Sequence, residues 1–197
     1  MGCGGSREKA KDTPQIWSNH LDRSSQSKYN FKIVFLGKSG VGKTSITIRF
    51  CRDTFFDGTE ATIGASFLTK TMNIDNRTIK FELWDTAGQE RYRALAPMYY
   101  RNADAAVLVF DYTDPDSFQS LQSWLYEIQK NVPDCVIILC GNKIDLESSR
   151  KVQHEAAEDY AKENDCLLIE VSSKTGQNIQ ELFTKLGELL SYKHYKT

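Results

Sequence analysis

Eight residues, Gly37-Lys38-Ser39-Gly40-Val41-Gly42-Lys43-Thr44, match the pattern GxxxxGK[ST] between an apolar run and a helix-compatible stretch. This spacing suits chemistry on phosphate. Glycines let successive backbone N–H groups curl around phosphate oxygens, a lysine reaches the outer phosphates, and a hydroxyl ligates Mg²⁺. Ser39, Gly40, Val41, Gly42 and Ser45 are the expected cradle, Lys43 the cation and Thr44 the Mg²⁺ ligand.

A phosphate loop does not choose its base. Asn142-Lys143-Ile144-Asp145 does, because a carboxylate at that place accepts both the ring N–H and the exocyclic amine of guanine. Adenine offers no matching pair of donors, and a buried polar group left without its partner is costly. A third group is Asp85-Thr86-Ala87-Gly88-Gln89. There Asp85 can hold the Mg²⁺ shell, Gly88 can turn its N–H toward a terminal phosphate, and Gln89 is the candidate for orienting an attacking water.

These groups need a rigid frame. The run FKIVFLG (31–37) predicts a strand, and Lys43 to about Arg52 a helix. Residues 65–74 and 78–84 predict an antiparallel hairpin turning at Asp75-Asn76-Arg77. Residues 105–111, 136–142 and 166–172 are nearly continuous apolar runs, as in strands covered by helices on both faces. Helical spacing links Phe118, Leu121, Leu125 and Ile128, then Ala156, Ala157, Tyr160 and Ala161, then Ile179, Leu182, Phe183, Leu186 and Leu190. The expected class is α/β, with a mostly parallel sheet and one antiparallel edge strand.

Composition narrows the function classes. The 197 residues carry 25 Lys+Arg against 26 Asp+Glu, so no overall field draws in nucleic acid and polyanion specificity must be local. A GTPase of translation or ribosome assembly is disfavoured on that ground. No run reaches the roughly 18 apolar residues of a spanning helix. Five cysteines without a CxxC pair (Cys3, Cys51, Cys135, Cys140, Cys166) point to neither a disulfide framework nor a zinc site, so a reducing, cytosolic setting is expected.

WDTAGQE, taken with GKSGVGKT, GNKID and Ser172-Ser173-Lys174, resembles the motif set of the Ras-like small GTPases. IGASF, KFELW, RYRAL, YYRNA and LVFDYT are similar to Rab signatures, and TIGASF and LAPMYYR to the early-endosomal branch. The resemblance runs from about Tyr29 to Leu190 and implies the small GTPase fold, a six-stranded sheet with helices on both faces. It further implies that Thr62 joins the Mg²⁺ shell and that Phe55 packs against guanine. Ser172, Ser173 and Lys174 would close over the base, mainly through backbone groups. Residues from about Gly88 to Tyr100 would form the second switch. Ile63, Gly64, Phe67, Trp84 and Tyr99 would face effectors, although the three aromatics suit ordinary packing equally well. The implied protein is a monomeric switch that binds GTP or GDP with Mg²⁺ and meets an exchange factor, an activating protein and effectors on the cytoplasmic face of endosomal membranes. No arginine is an evident cis finger, so hydrolysis is expected to be slow without an activator. A guanine-nucleotide-dependent adaptor that scarcely turns over is the competing reading; intact Lys43, Thr44, Thr62, Asp85 and Gln89 favour catalysis. Two departures stand out: Ser39 occupies a position that is glycine in Ras, and Ser173 one that is usually alanine.

Rabs ordinarily end in prenylated cysteines, whereas Cys166 is the last cysteine here. The amino terminus offers another anchor. Met1-Gly2-Cys3-Gly4-Gly5-Ser6 fits M-G-x-x-x-[ST], with Arg7, Lys9 and Lys11 close behind, so Gly2 is expected to take myristate and Cys3 palmitate. One myristoyl chain binds membranes only marginally, on the order of 10⁴ M⁻¹, so the second acyl chain or the basic residues are needed. The expected organisation is a flexible tether over 1–29, a GTPase domain over 30–192 and a short tail over 193–197.

Overall fold

The computed structural model describes residues 1–2, 28–58 and 60–196. Cys3 and the rest of the expected tether up to residue 27 lie outside them. Among the described residues six strands form one sheet: β1 (Lys28–Leu36), β2 (Ala65–Ile74), β3 (Arg77–Thr86), β4 (Ala105–Asp111), β5 (Val136–Asn142) and β6 (Leu167–Glu170). Their order is β2-β3-β1-β4-β5-β6. The β2–β3 pair is antiparallel and the other four pairs are parallel. Asp75 (φ 47°) and Asn76 (φ 61°) make the two-residue left-handed turn that suits the twist of a hairpin, and Arg77 already pairs with Ile74.

Alternation along β1 sends side chains to both faces. Ile33 and Phe35 pack under α1 (Lys43–Arg52) and α6 (Ile179–Lys196), through Ile46, Phe50, Leu182, Phe183 and Leu186. Val34 and Leu36 face the other layer. That layer is α2 (Ala96–Tyr100), α4 (Leu121–Asn131) and α5 (His154–Glu163), with Leu121, Leu125, Ile128 and Ala157 among its buried residues. Every residue of β4, between the two layers, is buried.

Several expected boundaries moved. The single pattern from Phe118 to Ile128 is two helices, α3 (Pro115–Gln119) and α4, with Ser120 between them. The hydroxyls of Ser120 and Ser123 donate back to the carbonyls of Ser117 and Ser120, offering the backbone a local alternative to one continuous helix. β6 is shorter than 166–172 because Ser172 leaves the sheet, donating its N–H to the carbonyl of Gln177. α6 continues through the residues expected as a tail, and His194 packs edge-on against Tyr29 with ring centroids 5.3 Å apart. No helix among the described residues is long and apolar enough to cross a membrane.

The chain leaves β1 for its neighbour β3 on one side and returns to β4 on the other, so strand order reverses beside β1. In open α/β sheets ligands bind at such a point, beyond the carboxyl ends of the strands. The loops after β1, β3, β5 and β6 all emerge there.

Phe183 ties the helical layer to the sheet: it is fully buried, stacks on Phe50 with ring centroids 3.4 Å apart and meets Phe81 edge-on at 5.8 Å. Phe183→Ala is expected to lower unfolding free energy by about 3–5 kcal/mol, measured by urea denaturation at one fixed nucleotide concentration.

Candidate functional site

A cavity of about 370 Å³ opens at the carboxyl edge of the sheet. Ser39, Gly40, Gly42, Lys43, Thr44, Ser45 and Gly88 form one wall, and Lys143, Asp145, Ser173 and Lys174 another. Phe55 and Thr62 belong to the third, together with Phe56, Asp57, Glu60 and Ala61, for which spacing carried no signal.

The phosphate loop is shaped by what cannot fit in it. Gly42 precedes α1 at φ 96°, and a Cβ there would overlap Nδ2 of Asn142. Gly88 lies so close that a Cβ on it would run into Ser39 N and, at 2.5 Å, Nζ of Lys43. Val41, the one cradle residue not on the wall, turns its side chain into the core, and its carbonyl accepts from Nδ2 of Asn142 at 2.8 Å.

Lys43 and Asp85 are both buried. Nζ of Lys43 donates to the carbonyls of Gly37 (2.8 Å) and Lys38 (3.0 Å). Burial pushes its pKa down to about 8, against the opposing pull of Asp85. Burial likewise raises the pKa of Asp85, opposed by hydroxyl donors and by Lys43. Three hydroxyls converge on Oδ2 of Asp85: Thr44 at 2.7 Å, Ser66 at 3.3 Å and Thr62 at 3.5 Å. Thr44 and Thr62 are themselves 2.9 Å apart. Oδ1 of Asp85 is buried without a hydrogen-bond partner. Two hydroxyls and a carboxylate with an orphaned oxygen form a hard, all-oxygen donor set, which fits Mg²⁺ completed by phosphate oxygens.

On the base side, Asn142 is fully buried behind the wall and joins three segments: it donates to Val41, donates to Oγ of Ser173 at 3.2 Å, and accepts the Ser173 N–H at 3.0 Å. The Ser173 N–H, one of the backbone groups expected to close over the base, is therefore committed to Asn142. Ser172, also buried, donates its hydroxyl to Oδ1 of Asp145 at 2.5 Å. Nζ of Lys143 pairs with Asp111 at 2.6 Å.

Residues 32–191 match the Ras family. The chain belongs to the Ras family of small GTPases. It is 50% identical over 163 residues to Ras-related protein Rab-5A of Dictyostelium discoideum, a match covering 82% of this chain and 81% of the relative, which supports a Rab-type GTPase. Ras and Rab proteins hydrolyse GTP, and family members bind GTP or GDP with Mg²⁺.

Asp85, Asn142 and Ser172 of this GTPase stand behind the cavity wall, and Gln89 and the outer aromatics also lie off it. Gln89 is not among the lining residues: its carbonyl accepts the Tyr92 N–H at 3.0 Å, at the start of the 3₁₀ turn Glu90–Leu95. Phe67, Trp84 and Tyr99 form a chain of rings on the outer side, with centroids 5.1 and 6.1 Å apart. Ile63 (80%) and Phe67 (49%) are exposed, and Nε1 of Trp84 is buried without a partner.

Between pH 8 and the ordinary value of 10.5, Lys43 binds fewer protons in the folded chain than in the unfolded one. The stability of the nucleotide-free GTPase should therefore rise with pH across that window, and Lys43→Met should flatten the rise. Urea unfolding at a series of pH values measures both.

Proposed function

We propose that this GTPase is a membrane-tethered Rab-type switch in endosomal traffic, exchanging GDP for GTP and reporting the γ-phosphate through two loops. The convergence of Thr44, Thr62 and Asp85 beside the phosphate loop carries the reading. It joins the first turn of α1, the segment before β2 and the end of β3 at one point, so a ligand there biases all three.

In this reading the backbone from Ser39 to Gly42, with Ser45, cradles phosphate oxygens, and Lys43 turns its ammonium from the two loop carbonyls onto the outer phosphates. Thr44, Thr62 and Asp85 would hold Mg²⁺, which when bound offsets charge on the transferring phosphoryl group. Asp145 accepts both guanine donors, Phe55 and Lys143 flank the base, and Ser172, Ser173 and Lys174 close over it. The Gly88 N–H meets the terminal phosphate, and Gln89 orients water once residues 88–100 close inward. With no arginine placed as an evident cis finger, turnover is slow until an activating protein completes the site. Ile63, Gly64, Phe67, Trp84 and Tyr99 meet effectors; the exposure of Ile63 and Phe67 beside the Trp84 and Tyr99 rings supports this role. Myristate on Gly2 and palmitate on Cys3 supply the anchor, and the similarity of TIGASF and LAPMYYR to the early-endosomal branch supports the compartment.

Single-turnover hydrolysis tests the catalytic part. Gln89→Leu should lose most of the roughly 10³–10⁵-fold stimulation that an activator's arginine supplies. Unchanged rates, with and without activator, would remove Gln89 from its role. Imaging in cells tests the anchor: Gly2→Ala should move the protein from endosomal membranes to the cytosol, and a fully membrane-bound variant would refute acylation at Gly2.

A further inference from the structure

Arg49 lies on α1, six residues beyond Lys43 and outside every motif. Its side chain is only 15% exposed, and it reaches across to the loop that follows β6. Nε donates to the carbonyl of Ser173 at 3.0 Å and Nη2 to that of Lys174 at 2.5 Å. Nη1 is anchored on Asp53, at 3.1 Å to the carbonyl and 3.3 Å to Oδ1. A basic residue in the last turn of a helix ordinarily caps its own terminal carbonyls. Here two of the three nitrogens serve a loop more than 120 residues away in sequence.

What those two bonds fix follows from peptide geometry. In a planar trans peptide the C=O of one residue and the N–H of the next point opposite ways. Drawing the Lys174 carbonyl toward Arg49 therefore turns the Thr175 N–H away from it, and that N–H donates to Oγ of Ser172 at 3.1 Å. Ser172 Oγ in turn donates to Oδ1 of Asp145 at 2.5 Å. The relay is continuous: guanidinium, Lys174–Thr175 peptide, Ser172 hydroxyl, Asp145 carboxylate. The other bond holds Ser173, whose N–H and hydroxyl face Asn142, so both base-side anchors trace back to one side chain.

We propose that Arg49 is a positioning residue for guanine recognition: from the helix that begins at the phosphate loop, it sets the base-closing loop and, through Ser172, the aim of Asp145. The inference rests on the reading of Asp145 as the group that accepts the guanine donors. A guanidinium suits the task because its planar fork bridges two carbonyls at once, which an ammonium or amide cannot do in the same geometry.

The experiment compares the release rates of GDP and inosine diphosphate from the full chain at saturating Mg²⁺. Inosine diphosphate lacks the exocyclic amine, so the ratio of the two rates reads the aim of Asp145. Arg49→Ala should release GDP about tenfold faster or more and bring the ratio toward one. General loosening of the fold would speed both nucleotides alike and leave the ratio at the parent's value; that result overturns the proposal. Arg49→Gln, which keeps much of the aliphatic stem, should shift the ratio in the same direction and decides the matter if Arg49→Ala does not fold. Asp145→Ala separates the two layers of the argument. If it collapses the ratio while the Arg49 variants do not, Arg49 has no positioning role; if Asp145→Ala itself leaves the ratio intact, the base-reading assignment fails and the proposal with it.

Discussion

The site depends on holding a lysine and an aspartate together where burial disfavours the charge of each. Such a pair is stable only when the surrounding geometry is fixed and the remaining polar atoms are satisfied. Parallel pairing of β1 with β3 provides the fixity: Phe35 is in register with Asp85, and the Thr86 hydroxyl donates to the Phe35 carbonyl at 2.6 Å. The two strands thus end side by side, one delivering the loop that leads into Lys43 at the start of α1 and the other Asp85. Hydroxyls satisfy Oδ2, and Oδ1 is left over. That leftover oxygen, beside two hydroxyls, is a donor set suited to a hard divalent cation rather than a fully satisfied core.

This also explains how a chain of net charge -1 can bind a polyanion. Attraction over long range is unnecessary when loop N–H groups, one buried ammonium and a metal site act within a few ångströms, where burial weakens screening. Lys43 offsets part of the cost of its own burial by donating to two backbone carbonyls.

Legibility in the sequence followed how many physical constraints each segment obeys. β4 and β5 appear at the residues expected, 105–111 and 136–142, because helices cover both faces and apolar character is demanded at every position. β3 extends to Arg77–Thr86, beyond 78–84, because pairing with β1 and β2 supports polar ends that hydropathy alone excludes. The break at Ser120 turns on two serine hydroxyls and leaves the 3.6-residue spacing intact, so periodicity runs straight through it. At the site, local spacing singles out the phosphate loop and Asp145, and the structure places both on the cavity wall. Phe56, Asp57, Glu60 and Ala61 line the cavity through the path of an irregular segment, which no repeat encodes. Arg49 is a long-range contact of the same kind, visible only when α1 and the loop after β6 are brought together.

The outer aromatic chain lies directly behind the phosphate site. Trp84 immediately precedes Asp85 on β3 and pairs with Phe67 across the hairpin, while Tyr99 approaches from α2. The Ala87 N–H donates to the Gly64 carbonyl at 2.8 Å, binding the segment after β3 to the segment before β2. Any rearrangement that draws Thr62 or Gly88 toward a ligand must pull on this bond, and with it on the strand ends that carry Phe67 and Trp84. Phe67, half-exposed against the Trp84 ring, shifts with those strand ends, so the same displacement alters the outer surface. The nucleotide site and the outer surface are two sides of one hairpin end, carried by the adjacent residues Asp85 and Trp84 of β3, so a shift of one backbone segment moves both.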